Sequence, residues 1–241
     1  MLKTHDHEYR HEATTCEGFW AYDESKSGKR PGILVVHEWN GLQDYMKKRC
    51  SMLAEMGYVA FAPDIFGKGV RAKSFPECEQ ISAPYYKDRA LTRGRARAGL
   101  EVLQKHPLVD TSKIAAIGYC FGGIVILELA RSGADMKGVV SFHGQLNTPN
   151  PADAKNIKGK VLILHGAIDP VVPPAEVAAF EKEMEDAKVD WQMTYYGGAV
   201  HTFTNWNLPT NPPPGMPAAY NEKADKRSWR AMKDFFAETI D

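Results

Sequence analysis

The segment of greatest chemical interest is Gly118 to Gly123, with the sequence GYCFGG, which lies between two apolar runs. Apolar runs on both sides predict a buried strand that turns sharply into a helix. Such a turn requires small residues, which the glycines supply. The turn would hold Cys120 above the sheet, with the following backbone N–H free to bind a developing oxyanion. The hexapeptide therefore predicts a cysteine nucleophile.

A cysteine nucleophile needs a base, and in this arrangement the acid and the histidine follow the nucleophile in chain order. Asp169 and His201 each follow a predicted strand and satisfy that order. His201 would take the thiol proton, and Asp169 would fix the imidazole tautomer. The attack would form a thioester acyl-enzyme that water hydrolyses. The alternative is that Cys120 is a buried small hydrophobe and that Asp169 and His201 cap loops. The complete set in this order favours catalysis.

The elements that must position these residues are short apolar runs alternating with helical patterns. This alternation predicts an α/β fold with a single, mostly parallel sheet and helices on both faces, as one domain over residues 1–241. The predicted strands are Ile33–Val36, Tyr58–Ala62, Ile114–Ile117, Val139–Phe142, Val161–Leu164 and Trp191–Tyr195. The predicted helices are Gln43–Met56, Tyr86–Lys105, Gly122–Arg131, Pro174–Ala187 and Ala218–Thr239. Two irregular segments, Ile65–Pro84 and Asn205–Pro217, are candidate pocket walls or lids.

Composition narrows the class of partner. The chain has 30 Lys and Arg against 30 Asp and Glu, so no overall field attracts nucleic acid or anionic membranes. The N-terminal residues show no apolar leader, and no later run approaches the length of a membrane span. The four cysteines form no CxxC pair, which fits a reducing cytoplasm. We expect a small-molecule ester or lactone as the binding partner. A homodimer that forms through apolar residues of the lid segments is an alternative use of those residues.

The chain resembles the dienelactone hydrolase family of the α/β-hydrolases. The resemblance extends from about Ile33 to Phe236, and its motifs are the GYCFGG turn, His37–Leu42 (HEWNGL), Ala62–Asp64 (APD), and the segments around Asp169 and His201. It implies that the backbone N–H groups of Trp39 and Phe121 form the oxyanion hole. It also implies that Glu38 lies near the sulfur, which would raise the thiol pKa and keep Cys120 protonated until substrate binds. The alternative is that Glu38 pairs with a surface Lys or Arg.

The sequence departs from the family at the positions that bind the substrate carboxylate. Members that hydrolyse dienelactone hold its carboxylate with arginines, one of them four residues after the histidine, where this chain has Asn205. No arginine lies between Ser74 and Asp88 either. We therefore expect neutral hydrophobic or aryl esters, with activated phosphotriesters as a side activity; the alternative is an anionic lactone. The residues expected to line the pocket are Tyr85, Tyr86, Phe203, Asn205 and Trp206.

Other candidate residues carry weaker signals. His5, His7 and His11 share one face of an extended segment, but histidines on a polar N-terminal segment are usually solvated, and we expect neither a metal nor a cofactor. Asp64 fits a turn-forming role. A function of a different class is also open, in which Cys120 reports oxidants in a non-catalytic redox-sensing or binding protein.

Overall fold

The computed structural model describes all residues from Met1 to Asp241 and is organised around one eight-stranded sheet. The strands are β1 (Leu2–His11), β2 (Thr14–Asp23), β3 (Arg30–Val36), β4 (Val59–Ala62), β5 (Val109–Tyr119), β6 (Gly138–Phe142), β7 (Lys160–Gly166) and β8 (Trp191–Tyr196). The helices are α1 (Asp44–Met56), α2 (Phe75–Lys87), α3 (Arg89–Lys105), α4 (Phe121–Arg131), α5 (Pro174–Ala187) and α6 (Glu222–Thr239), with a 3₁₀ turn at Pro151–Asn156.

The sheet order is β1-β2-β4-β3-β5-β6-β7-β8, and the six strands from β3 to β8 are parallel. These six correspond to the six predicted strands. Their apolar runs are continuous because helices cover both faces of the sheet. Helices α1 and α6 pack on one face in a cluster of 28 buried residues, and α3, α4 and α5 pack on the other in a cluster of 36. No helix is both long enough and apolar enough to cross a membrane.

An antiparallel hairpin of β1 and β2 extends the sheet and was not predicted. Strand β1 lies at the edge of the sheet, and most of its side chains are exposed, so its sequence lacks an apolar face. His5 packs edge-on against Tyr22, and His7 packs edge-on against Trp20. No group of three His, Cys, Asp or Glu side chains is arranged to hold a metal ion.

Helix α2 corrects the prediction of an irregular segment over Ile65–Pro84. Its first turn contains Pro76, where proline needs no N–H donor, and it also accommodates Pro84 near its C-terminal end. The predicted helix Tyr86–Lys105 is in fact two helices, which meet at Asp88. The Asp88 carboxylate accepts the N–H of Leu91 and so caps α3.

The last helix begins four residues later than the predicted start at Ala218. Asn221 caps it by accepting the N–H of Ala224. The preceding residues instead lie against the loop that follows β8, where Ala219 donates its N–H to the carbonyl of His201. This contact fixes the loop that carries the histidine.

Candidate active site

The turn between β5 and α4 holds Cys120 in a strained backbone conformation, with φ 52° and ψ −115°. Side chains are excluded around it. A Cβ on Gly118 would lie 2.1 Å from the carbonyl oxygen of Gly122, and one on Gly122 would lie 2.3 Å from that of Val36. The glycines therefore permit the close contact of strand, turn and helix that the sequence predicted.

Three side chains from three different loops meet at this turn. The Nε2 atom of His201 lies 3.1 Å from the Sγ atom of Cys120, and its Nδ1 atom lies 2.8 Å from Oδ2 of Asp169. The other oxygen of Asp169 accepts the backbone N–H groups of Val171 and Val172. All three residues of the set are buried. They follow β5, β7 and β8, whose carboxyl ends share one edge of the sheet.

The electrostatics of the pair favour a proton on the imidazole. Burial alone lowers the pKa of His201, but the sulfur of Cys120 and the carboxylate of Asp169 raise it more, to about 10. An imidazole whose pKa is raised in this way holds a proton more readily than a free histidine. Asp169 meanwhile keeps the remaining ring proton on Nδ1.

Glu38 is buried at the end of β3 and forms no ion pair with a lysine or arginine, so the surface-pair alternative is wrong. Its Oε2 atom accepts a hydrogen bond of 2.7 Å from Nδ2 of Asn205, and its Oε1 atom has no partner. Burial raises the pKa of Glu38 to about 7, although the bond from Asn205 opposes that rise. The role that the resemblance implies for Glu38, in which it restrains a resting Cys120 thiol, stays a prediction.

The backbone N–H groups expected to form an oxyanion hole have no acceptor within the protein. Phe121 is the first residue of α4, where N–H groups lack an intrahelical partner, and Trp39 follows the end of β3. Phe121 directly follows Cys120, and Trp39 follows β3, which pairs with β5. Their use in catalysis stays a prediction.

His143 is a site residue whose contact with the turn sequence reasoning did not predict. Its Nδ1 atom accepts the backbone N–H of Cys120 at 3.2 Å, so the ring proton lies on Nε2, 2.7 Å from the hydroxyl of Thr204. Burial lowers the pKa of His143 well below its usual value, which keeps the ring neutral. The only sequence feature that could have indicated this contact is the position of His143 directly after the apolar strand β6, which pairs with β5.

Arg49 anchors the loop that carries His201. The guanidinium is buried, pairs with Asp225 at 2.6 Å and donates to the carbonyl of Thr204 at 2.8 Å. It also lies over the ring of Trp206, 4.5 Å from the centroid. The sequence did not indicate this role for Arg49, because most charged residues of an amphipathic helix face solvent.

Two further polar residues, His37 and Asp64, bind backbone groups at strand ends and do not line the cavity. The Nδ1–H of His37 donates to the carbonyl of Glu38 at 2.7 Å, while its Nε2 accepts the N–H of Ile65 at 3.1 Å. Asp64 accepts the N–H groups of Phe66 and Gly67, which confirms its predicted turn-forming role.

A cavity of about 890 Å³ opens above Cys120 and His201. Its apolar lining comes from the loop after β3, from α2 and from the proline-rich segment before α6: Trp39, Phe75, Cys78, Ala83, Tyr86, Leu208, Met216 and Pro217. Tyr86 and Asn205 line it as predicted. Phe75, which sequence reasoning missed, packs edge-on against Trp39 at 4.7 Å. Both predicted irregular segments therefore contribute walls.

Three predicted pocket residues lie elsewhere, and those predictions are wrong. Tyr85 points into the core beside Phe66, because the neighbouring helix residue Tyr86 occupies the cavity side. Phe203 is fully buried behind His143, 5.1 Å away. Trp206 lies partly exposed over Arg49.

Comparisons with known proteins agree with this geometry. The model of the "Dienelactone hydrolase family" matches residues 17–240. A dienelactone hydrolase-like promiscuous phosphotriesterase from metagenomic libraries is 41% identical, with a TM-score of 0.94 and coverage of 100% of this chain and 99% of that one. The structure named m3DLH is 39% identical, with the same TM-score and coverage.

Sequence relatives are more distant. Protein usf of Aquifex pyrophilus is 28% identical over 180 residues, covering 73% of this chain and 77% of that protein. A carboxymethylenebutenolidase homologue of Methylorubrum extorquens is 24% identical over 224 residues, covering 89% and 74%. The predicted family and fold are confirmed: this chain is a hydrolase with the α/β-hydrolase fold and belongs to the dienelactone hydrolase family.

Proposed function

We propose that the protein hydrolyses neutral carboxylic esters or lactones, with Cys120 as nucleophile, His201 as general base and acid, and Asp169 as its orienting partner. The observation that carries the proposal is the 3.1 Å contact from Sγ of Cys120 to Nε2 of His201, below an open cavity. The 2.8 Å contact from His201 to Asp169 completes the set.

The reaction follows from these positions. The Cys120 thiolate attacks the carbonyl carbon, and the N–H groups of Trp39 and Phe121 stabilise the oxyanion. As the carbon–oxygen bond to the leaving group breaks, His201 donates its Nε2 proton to the departing alcohol. The thioester left on Cys120 is then attacked by water, from which His201 removes a proton. Release of the acid restores the thiolate and the imidazolium.

The preference for neutral substrates rests on the surroundings of the buried end of the cavity. No arginine lines the cavity, and its two lysines, Lys73 and Lys87, are exposed near the ends of α2. At the buried end, a substrate carboxylate would meet Glu38 and Asn205, which are already bonded to each other. Neither side chain offers the paired donors and positive charge of a guanidinium.

Two other substrates are chemically close. The carboxymethylenebutenolidase name of several relatives favours an anionic lactone. The 41% identical promiscuous phosphotriesterase favours activated phosphotriesters as a side activity, since a thiolate beside an oxyanion hole can also attack phosphorus bearing an aryloxy leaving group. Neither substrate requires a different nucleophile.

The test is a panel of 4-nitrophenyl butyrate, dienelactone and an aryl phosphotriester, assayed with the unmodified enzyme and with Cys120→Ala and His201→Ala. Cys78→Ala is the matched control, because Cys78 lines the same cavity. We expect kcat/KM for the neutral ester to exceed that for dienelactone, and Cys120→Ala to lower it about 10⁴-fold. Cys78→Ala should retain most of the activity.

Each contrary result has its own meaning. Turnover that survives Cys120→Ala rules out the cysteine mechanism. A large advantage for dienelactone assigns the anionic substrate instead. Absence of any turnover, together with rapid oxidation of Cys120 by peroxide, supports the redox-sensor alternative.

A further inference from the structure

A second, smaller cavity adjoins the catalytic one. It has a volume of about 400 Å³ and shares five lining residues with the larger cavity: Glu38, Asn40, Gln43, Asn205 and Leu208. The hydrogen bond from Asn205 to Glu38 lies on the boundary between the two. A substrate that reaches the second cavity from Cys120 must cross this boundary.

The second cavity differs from the first in being polar and rich in side-chain amides. Nε2 of Gln43 is bonded to the carbonyls of Asn40 and Ala72, which leaves its Oε1 free. Asn207 forms its hydrogen bond through the backbone N–H, which donates to Oδ1 of Asn205, and its side-chain amide forms none. The side-chain amides of Asn40 and Asn207 are therefore available as both donors and acceptors.

The buried carboxyl of Glu38 provides independent evidence that a ligand belongs here. Glu38 is 4% exposed and lines both cavities, yet its Oε1 atom has no hydrogen-bond partner. A buried polar atom without a partner costs free energy, and a hydroxyl group on a ligand would remove that cost. Glu38 thus brings one unsatisfied group to the boundary of the two cavities, and the free amides of the second cavity lie around it.

Charge restricts the class of ligand. No lysine or arginine lines the second cavity, and exposed Asp44 lies at its edge, so an anion gains no partner there. Hydroxyl groups both donate and accept, which suits amides and a carboxyl side by side. Asn205 lies on the loop of His201, the residue proposed to protonate the leaving alcohol, which favours the alcohol portion of an ester as the occupant of the second cavity.

We propose that this second cavity binds the neutral, polyhydroxylated alcohol portion of the ester substrate, such as a glyceryl or sugar group, while the apolar cavity binds the acyl portion. This inference rests on the proposed ester hydrolysis. It adds a polar specificity subsite to the neutral pocket.

The test compares two butyrate esters that differ only in hydroxyl groups, glyceryl monobutyrate and propyl butyrate, with Asn207→Leu as the variant. Asn207 is exposed, so its replacement leaves the fold intact. We expect glyceryl monobutyrate to be the better substrate, and Asn207→Leu to lower its kcat/KM about fivefold while changing that of propyl butyrate less than about twofold. The matched control is Asn211→Leu, in the same loop but outside both cavities, which should change neither.

Two results overturn the subsite. One is equal kcat/KM for the two esters with no selective effect of Asn207→Leu. The other is a preference for butyrylcholine that Asp44→Asn abolishes, which would assign the cavity to a cation. In both cases Cys120-dependent cleavage of 4-nitrophenyl butyrate still supports the proposed function. Loss of that dependence would instead contradict the function itself.

Discussion

The backbone N–H of Cys120 is held by the imidazole of His143, 3.2 Å away, as well as by the carbonyl of Phe142 at 3.0 Å. A neutral histidine therefore fixes the strained turn that carries Cys120. His143 is in turn bonded to Thr204, on the loop of His201. One neutral ring thus sets the positions of both members of the Cys120–His201 pair.

Replacing this ring should impair catalysis more than folding. The Cys120 N–H keeps its bond to Phe142 in His143→Phe, so the turn should persist. Loss of the ring's bonds to Cys120 and Thr204 should let the sulfur and the His201 loop shift, and we expect kcat to fall about 10-fold or more. His143→Gln, whose amide oxygen can accept the N–H, should recover part of the loss. Saturation kinetics and the rate of Cys120 alkylation by iodoacetamide measure the effect. A variant with lower stability but unchanged kcat and alkylation would show that His143 only supports packing.

The substrate preference should respond to a guanidinium at position 205. We expect Asn205→Arg to raise kcat/KM for dienelactone relative to 4-nitrophenyl butyrate by about tenfold or more, because it adds a charged fork beside the buried end of the cavity. Asn205→Gln is the control, since it keeps a neutral amide. An unchanged ratio of the two substrates would mean that the missing arginine does not determine specificity.

The aromatic wall of the cavity should contribute to binding. Phe75 is 57% exposed yet packs against Trp39 at the cavity. We expect Phe75→Ala to raise KM for aryl esters about threefold to tenfold with little change in kcat, because the contact is made equally in the ground and transition states. Tyr195→Ala, which removes an exposed aromatic ring that does not line the cavity, should leave KM unchanged. A fall in kcat instead would mean that Phe75 orders the catalytic groups.

Glu38 should make stability depend on pH near neutrality. Burial holds its pKa at about 7, above the ordinary 4.5, so the folded protein keeps a proton that the unfolded chain loses between these values. This contribution to stability is full below pH 4.5 and declines as pH rises to 7. We expect Glu38→Gln to gain up to about 3 kcal/mol of unfolding free energy relative to the unmodified protein between pH 4.5 and 8.

Urea denaturation at pH 4.5, 6 and 8 measures this difference. Glu55→Gln, at an exposed position of α1, is the control. A constant difference between Glu38→Gln and the unmodified protein over the whole range would contradict a titration of Glu38 near pH 7.

The parts of the fold that could be predicted are those that the chain buries on both sides. Strands β3 to β8 have continuous apolar sequences because helices cover both faces, and the glycines around Cys120 are required by contacts as short as 2.1 Å. Strand β1 was missed because it is an edge strand with exposed side chains. Helix α2 was missed because its prolines suppress the helical signal, although both positions tolerate them.

The candidate site likewise contains residues that the sequence predicted and residues that it did not. Cys120, Asp169 and His201 were found because chain order and strand ends determine where such residues meet. The pocket aromatics depend on which side of a helix or loop each ring faces, which spacing alone does not determine. Tyr85 and Tyr86 are adjacent, and only Tyr86 reaches the cavity. Arg49 was missed because its partners, Asp225 and Thr204, are more than 150 positions away.

Under the proposed function, the order of Cys120, Asp169 and His201 also determines when during synthesis Cys120 acquires its base. Cys120 precedes His201 by 81 positions, and the histidine follows β8, the last strand of the sheet. A nascent chain that has completed β5 and α4 therefore contains Cys120 but lacks the histidine that would act as its base. Activation of the sulfur requires the far edge of the sheet to form and Asp225 of α6 to anchor Arg49. Under the proposed function, an unfinished or truncated copy therefore lacks the base that would activate Cys120.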